Sequence, residues 1–327
     1  MFQGARLANH PQTSWVLTDG KIGMESQCLG LAAALGVAPA VKRVTVRMPW
    51  RALPPQLWIG ALAATVEKLE PPWPDLLIAT GRQTVALSIA IRRASGGRCF
   101  TVQLQDPGVS PAQFDLVVAP EHDGLAGANV IATRGAMHGV TPEALARAAS
   151  KFRARLAPLK RPLVAVLLGG PNGRYRMDAD SMTRLGAALR RVAETDGAGF
   201  AVTPSRRTGD GNVAALRTAL AGTSSEIWDA TGDNPYYGYL ALADAIVATS
   251  DSVNMVSEAC ATGRPVHVFH LPGGSAKFRR FHAAFEAAGF TRPFAGKLEK
   301  WAYEPPRETE RVAGVIRARL KDRAQAN

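Results

Sequence analysis

At 327 residues, 46% hydrophobic and 20% charged, the chain is too long for one small core and too apolar to be disordered, and it suits two domains. Thirty-nine Lys and Arg against 27 Asp and Glu give a net charge of +12, so the partners to expect carry phosphate or another anionic group. No apolar run approaches the roughly 20 residues a membrane-spanning helix needs, which sets integral membrane proteins aside.

In chain order, short apolar runs alternate with amphipathic stretches, the rhythm of parallel strands joined by crossover helices. Strands are expected near "SWVLT", "RVTVRM", "DLLIAT", "CFTVQL", "FDLVVA" and "NVIAT". After the first strand, Met24, Cys28, Leu31 and Leu35 recur at helical spacing and should face the sheet. "TPEALARAASKFRARLAPLKRP" reads as a helix ended by proline and a basic linker, which puts the domain boundary near Pro158 to Pro162. The second half repeats the pattern with "PLVAVLLGG", "GFAVT", "SEIWD", "AIVATS" and "VHVFH", and its first helix carries Met182, Leu185, Leu189 and Val192 on one face. The expected fold is therefore α/β: two facing Rossmann-like domains with mostly parallel sheets and an interdomain cleft. Residues 1–158 form the first domain, 159–300 the second, and 301–327 a last helix returning to the first.

In open parallel sheets, ligands bind beyond the carboxyl ends of the strands. The loops at those ends are the chemically loaded ones: "TDGKIGMESQ", "TGRQT" and "APEHDG" in the first half, and "GGPNGRYR", "TPSRRTGD", "DATGDNPYYG" and "TSDSVNM" in the second. In the second half, Gly169 and Gly170 would let backbone approach an anion at a helix start. Arg206 and Arg207 lie beside hydroxyls and suit a phosphate. Ser250, Ser252 and Asn254 offer donors for a diphosphate, and Glu258, about one turn deeper, can accept from two ribose hydroxyls. Each has a plainer reading: a tight turn, a surface arginine pair, a helix cap, a helix-surface carboxylate. Four such loops at equivalent strand ends favour a nucleotide diphosphate site. With neither a GxGxxG nor a P-loop, a dinucleotide fold and a kinase are both unsupported.

These segments resemble the mitochondrial-fission "elongated mitochondria" protein family. The likeness runs through "TDGKIGMESQCLGLAAALG", "GGPNGRY", "TPSRRT", "GDNPYYGYLALADAIVATSDSVNMVSEACATGRPV" and "YEPPRET" and covers nearly the whole chain. The second half also resembles the donor half of GT-B glycosyltransferases, including the enzyme that adds N-acetylglucosamine to the lipid-linked peptidoglycan precursor. That resemblance implies a nucleotide-sugar donor, of the uridine diphosphate type, held by the second domain with no metal or other cofactor. It gives Glu258 to the ribose, and Ser252 with the Arg206 region to the phosphates.

One departure stands out. The family pattern reads Gly-His-Glu where this chain has Gly23, Met24 and Glu25. The candidate catalytic bases are then Glu25, Asp19, or His122 with Asp123. A carboxylate would need desolvation to raise its pKa, whereas a histidine titrates nearer neutrality. Glu25 and Asp19 can equally cap the first helix, and "EHDG" can be a turn.

The acceptor is expected on the first domain near Lys21, Gly81, Arg82 and Gln83. The expected function is GT-B glycosyl transfer to a membrane-linked or anionic acceptor, with the basic stretch "HLPGGSAKFRRFHAAFEAAGF" as the candidate contact to an anionic membrane. Two readings stay open beside it: a scaffold with a vestigial nucleotide site, since plant relatives are associated with recruiting a dynamin-like fission protein, and a nucleotide-sugar epimerase of the same fold. Nucleic acid is not an expected partner, for no aromatic-rich basic motif accompanies the charge. Cys28, Cys99 and Cys260 read as reduced core thiols, and the first residues lack a secretion signal's apolar core. Both point to the cytoplasm, peripherally at the inner face of the membrane.

Overall fold

The computed structural model describes residues 11–326 and divides them into two compact units. Residues 1–10, part of the stretch read for a secretion signal, lie outside the described residues.

Unit 1 holds the chain up to Gly139 and again from Arg307. Its sheet is built from β1 (Ser14–Thr18), β2 (Ala40–Arg43), β3 (Leu76–Thr80), β4 (Phe100–Leu104), β5 (Leu116–Pro120) and β6 (Val130–Thr133), in the order β2-β1-β3-β4-β5-β6 with every pairing parallel. The central strands β3 and β4 are buried along their whole length, as near-continuous apolar runs between helices should be. The helix α1 (Ile22–Leu35) places Cys28, Leu31 and Leu35 in the core, while Met24 is half-buried. It ends at Gly36, whose left-handed φ of 75° lets its N–H reach back to the Ala32 and Ala33 carbonyls. A second helix, α2 (Arg82–Ala94), follows β3.

Unit 2 spans Val140–Pro306. It begins with α3 (Pro142–Leu156), N-capped by Thr141, whose hydroxyl accepts from the Ala144 N–H at 3.1 Å. Its strands are β7 (Leu163–Leu168), β8 (Gly199–Pro204), β9 (Ser225–Ile227), β10 (Ala245–Thr249), β11 (Val266–Phe269) and β12 (Thr291–Pro293), in the order β12-β11-β10-β7-β8-β9, again all parallel. Its remaining helices are α4 (Ala179–Asp196), α5 (Asp210–Ala219), α6 (Tyr236–Leu242), α7 (Val253–Cys260) and α8 (Ala276–Ala287). The four α4 residues expected to face the sheet, Met182, Leu185, Leu189 and Val192, are all completely buried.

Two positions differ from the sequence reading. The units divide at Gly139 rather than near Pro158, so α3 belongs to the second unit. The cause is packing: Phe152 and Leu156 of α3 join the core cluster of Tyr239, Leu240 and Leu163. α6 lies so close to α3 that a Cβ on Gly238 would stand 2.6 Å from the Phe152 ring, so only glycine fits there. The second difference is β2, which is "AVKR" rather than "RVTVRM". Beyond Arg43 only the Val44 N–H still reaches β1, at the Thr18 carbonyl, and Val46 turns away to bridge Thr65 antiparallel.

The last helix, α9 (Glu308–Ala326), packs in unit 1, where Val312, Ala313 and Ile316 are fully buried in the cluster of Leu31 and Leu35. Arg317 also donates to the Ala34 carbonyl at 2.8 Å.

Candidate functional site

The carboxyl ends of β7, β8 and β10 in unit 2 are tied into one polar hub, with Asp251 at its centre. Its carboxylate, fully buried, accepts from the Gly170 N–H at 2.8 Å and from the Thr249 hydroxyl at 2.6 Å, and pairs with Arg207 at 3.3 Å. Thr249 in turn accepts from the Gly169 N–H at 2.9 Å. From the β8 side, Thr208 donates to the Gly169 carbonyl at 2.6 Å, and Ser205 donates to the same oxygen. The Asn172 side chain closes the ring on the Asp251 carbonyl at 3.3 Å. Burial pushes the Asp251 carboxyl above its usual range; the hydroxyl, amide and guanidinium offset only part of that cost.

This hub reassigns several residues. Gly169 and Gly170 do not open a helix, since α4 starts at Ala179 behind its cap Asp178, and their N–H groups are taken by Thr249 and Asp251. They are glycine because a Cβ on Gly169 would fall 2.1 Å from the Asp251 carboxylate and one on Gly170 2.4 Å from the Arg207 backbone. Arg207 is likewise committed: besides Asp251, its guanidinium donates to the Gly170 and Pro171 carbonyls at 3.1 and 3.3 Å. Ser250 is completely buried, its hydroxyl accepting from the Leu271 N–H at 3.0 Å and its carbonyl meeting His282 Nε2 at 2.8 Å. A buried hydroxyl with a backbone donor on it cannot reach a ligand.

Other candidates face outward. Arg206 is exposed and, among the described residues, has no hydrogen bond or ion pair. Ser252 caps α7, accepting from the Met255 N–H at 3.3 Å, and stays half-buried with its own proton available. Asn254 is half-buried in the first turn of the same helix. Glu258, about 6 Å beyond Asn254 along the helix axis, accepts from the Tyr236 hydroxyl at 2.6 Å. Burial pushes its pKa up to about 7, and the phenol offsets only part of the rise. Tyr236, at the start of α6, was not singled out in the sequence. Its signal is the "NPYYG" turn, where the Asn234 side chain accepts from the Tyr236 N–H at 3.0 Å and so sets the phenol's direction. Arg206 follows β8 and Glu258 lies on the helix after β10, with β7 between the two strands, which are roughly 10 Å apart at the usual spacing.

In unit 1 the three candidate bases are dispersed. Asp19 pairs with exposed Lys21 at 2.5 Å, and Glu25 is held bidentately by Arg43 at 2.6 and 2.8 Å. His122 is buried in a short 3-10 turn after β5, its Nε2 3.4 Å from Asp123 Oδ1. β3 and β4 lie between β1 and β5, whose strands are roughly 14 Å apart at the usual spacing, so His122 stands at the end of a different strand from Asp19. Gly81, with a φ of 92°, sits over the Met24 sulfur; Gln83 is half-buried, and exposed Arg82 donates to the Leu53 carbonyl at 3.3 Å. Among the described residues no group of three or more His, Cys, Asp and Glu could hold a metal ion. Neither is any helix long and apolar enough to cross a membrane. The three cysteines are buried and unpaired.

Residues 22–320 match the model of the mitochondrial fission ELM1 family. The chain belongs to that family. Its relatives include the mitochondrial fission protein ELM1 of Arabidopsis thaliana, 32% identical over 278 residues, which cover 76% of this chain but only 65% of the plant protein. A second relative, the uncharacterized protein RP120 of Rickettsia prowazekii, is 26% identical over 94% of this chain and 98% of its own. Among solved structures, the UDP-GlcNAc 2-epimerase of Neisseria meningitidis bound to UDP-GlcNAc superposes with a TM-score of 0.52 at 11% identity, covering 95% of this chain and 99% of that one. The UDP-GlcNAc 2-epimerase of Methanocaldococcus jannaschii gives a TM-score of 0.53 at 12% identity, over 93% and 99% of the two chains. This ELM1-family chain thus has the GT-B fold, with two Rossmann-like units.

Proposed function

We propose that this chain is a GT-B glycosyltransferase that takes a nucleotide sugar, of the uridine diphosphate type, on its second unit. The observation that carries the reading is Glu258. A half-buried carboxyl on the second turn of a capped helix, with one neutral donor on it and a pKa near 7, is poor at stabilising a fold and well placed to accept from a ribose diol. Two hydroxyl donors would favour its charged form and displace or share the Tyr236 phenol. Ser252 and Asn254 at the α7 start, with Arg206, would receive the diphosphate, and Arg206 would stabilise it as leaving group. No metal ion is required by this scheme. The fold-level likeness to a UDP-GlcNAc-bound epimerase supports the ligand class but not the reaction.

On unit 1, Lys21, Gly81, Arg82 and Gln83 are assigned to the acceptor, membrane-linked or anionic. Of the candidate bases, Asp19 is favoured, because its ion-pair partner Lys21 is a solvent-exposed lysine on one oxygen and the other oxygen accepts only a long 3.4 Å contact from the Lys21 N–H, whereas Arg43 grips both oxygens of Glu25 and His122 is buried. The family membership favours a second reading, an adaptor in membrane fission whose nucleotide site no longer turns over.

Calorimetry with uridine, guanosine and adenosine diphosphates and their sugars tests the proposal. Selective binding of one base, weakened by Glu258→Ala by about 1.5–3 kcal/mol, is the expected result. An adaptor with a dead site binds none of them.

A further inference from the structure

We propose that residues 47–66 of unit 1 form a docking loop that seats on an anionic lipid surface. Four of the six large hydrophobic side chains exposed among the described residues fall within it: Met48 at 69% exposure, Leu57 at 58%, Ile59 at 88% and Val66 at 54%. Isolated apolar side chains on a surface are ordinary; a cluster on one loop marks an interaction surface.

The loop presents these groups from a fixed frame. Its base is closed by the Val46–Thr65 bridge and by the Arg47 N–H on the Ala64 carbonyl at 2.8 Å. Inside it, the Trp50 indole donates to the Ile59 carbonyl at 3.0 Å and the Trp58 indole to the Leu53 carbonyl at 3.2 Å. Trp58 packs against the core cluster of Leu17 and Leu77, so Leu57 and Ile59 on either side of it are held outward. Gln56 ties the tip to the Gly108 carbonyl at 3.0 Å. Two apolar side chains this exposed, on a loop this well stapled, lack a partner within the unit.

Charge selects the occupant. From Val41 to Val66 the chain holds Lys42, Arg43, Arg47 and Arg51 and not one acidic residue. Arg43 is spent on Glu25, but Arg47 and Arg51 are exposed and flank Met48 and half-buried Trp50. Two neighbouring carboxylates are already engaged: Glu67, next in the chain and within reach of Arg47's field, accepts from the Thr45 N–H and hydroxyl, and Asp106 accepts from the Gly108 N–H. Arginine, tryptophan and projecting aliphatic groups together suit the boundary between headgroups and acyl chains. A second copy would set arginine against arginine in a chain of net charge +12, whereas an anionic bilayer offers the opposite sign.

The basic stretch around α8 fits less well, since Phe281 and Phe285 are buried and Phe278 packs edge-on to Tyr175 with ring centroids 4.9 Å apart. Its apolar positions are core.

The test is co-sedimentation of the full chain, without nucleotide, with vesicles of phosphatidylcholine alone and of equimolar phosphatidylcholine and phosphatidylglycerol. Binding to the anionic vesicles only, weakened at least about ten-fold by Leu57→Asp with Ile59→Asp and separately by Arg47→Glu with Arg51→Glu, is expected. Arg279→Glu with Arg280→Glu should change it less. Circular dichroism melts check that each variant is folded. Because no nucleotide is present, failure of the glycosyltransferase reading leaves this result untouched. The proposal is overturned if the wild type ignores anionic vesicles, if all variants bind alike, or if sedimentation equilibrium shows a dimer that Ile59→Asp dissolves while vesicle binding persists.

Discussion

The strand-end loops of the two units are built on opposite principles. In unit 2 the turns after β7, β8 and β10 share one buried carboxylate, Asp251, and lock one another through backbone groups. In unit 1 ion pairs between partly exposed side chains take that place, Asp19 with Lys21 inside the turn after β1 and Glu25 of α1 with Arg43 at the end of β2, and the long loop after β2 turns apolar groups outward. A buried network fixes geometry and fails as a whole, whereas surface pairs contribute little individually and can exchange partners. The first arrangement suits a small ligand of constant shape. The second suits a partner whose surface varies.

The sharpest way to break the contrast is Asp251→Ala. It strips partners from the Gly170 amide, Thr249 and Arg207 at once, and should cost unit 2 about 3–5 kcal/mol in chemical denaturation. A loss below about 1 kcal/mol would mean that the turns hold their shape without the hub.

Glu258→Gln comes next. The carboxyl has a folded pKa of about 7 against an ordinary 4.5, so between those values the folded state holds more protons than the unfolded one. Stability is therefore expected to fall as pH rises through that window, and the full penalty operates above pH 7. The glutamine variant should gain about 1–3 kcal/mol at pH 8 and little at pH 4.5, read by melting both proteins at both pH values. Wild-type affinity for a nucleotide sugar should rise from pH 6 to 8 as the carboxylate charges, and the variant should lose that slope.

A smaller effect is expected at Arg206. With no partner in the fold, Arg206→Ala should leave the melting temperature unchanged and weaken a nucleoside diphosphate by about 1–2 kcal/mol, with little change for the nucleoside. Equal losses for both ligands would remove the arginine from the phosphates. Smallest of all, Arg43→Ala should cost no more than about 1 kcal/mol of stability, the usual worth of an exposed pair. A large loss there would place unit 1 with unit 2 as a locked frame.

The strands were legible wherever they are buried on both faces, because β3, β4, β7 and β10 must be continuous apolar runs. Legibility failed at the sheet edges. β12 is three residues ending in proline, too short for any period, and the valines after Arg43 carry a strand-like alternation that serves a loop closure instead. In the candidate site, residue type marked the right turns but not the direction of each side chain. "TSDS" announces a polar cluster. Only the fold tells that Thr249, Ser250 and Asp251 point inward to backbone amides while Ser252 caps a helix. The Tyr236–Glu258 contact joins residues 22 positions apart on different helices, and local pattern says nothing of such a pair.

The placement of α9 in unit 1 makes unit 2 an insertion: everything it needs lies in one uninterrupted stretch, while its neighbour is completed by the final helix. During synthesis the inserted unit can therefore close first. The earlier-made sheet must wait with Leu31 and Leu35 uncovered until Val312 and Ile316 emerge from the ribosome. Order of manufacture and order of completion are reversed, and that leaves the half made first as the one more dependent on chaperones.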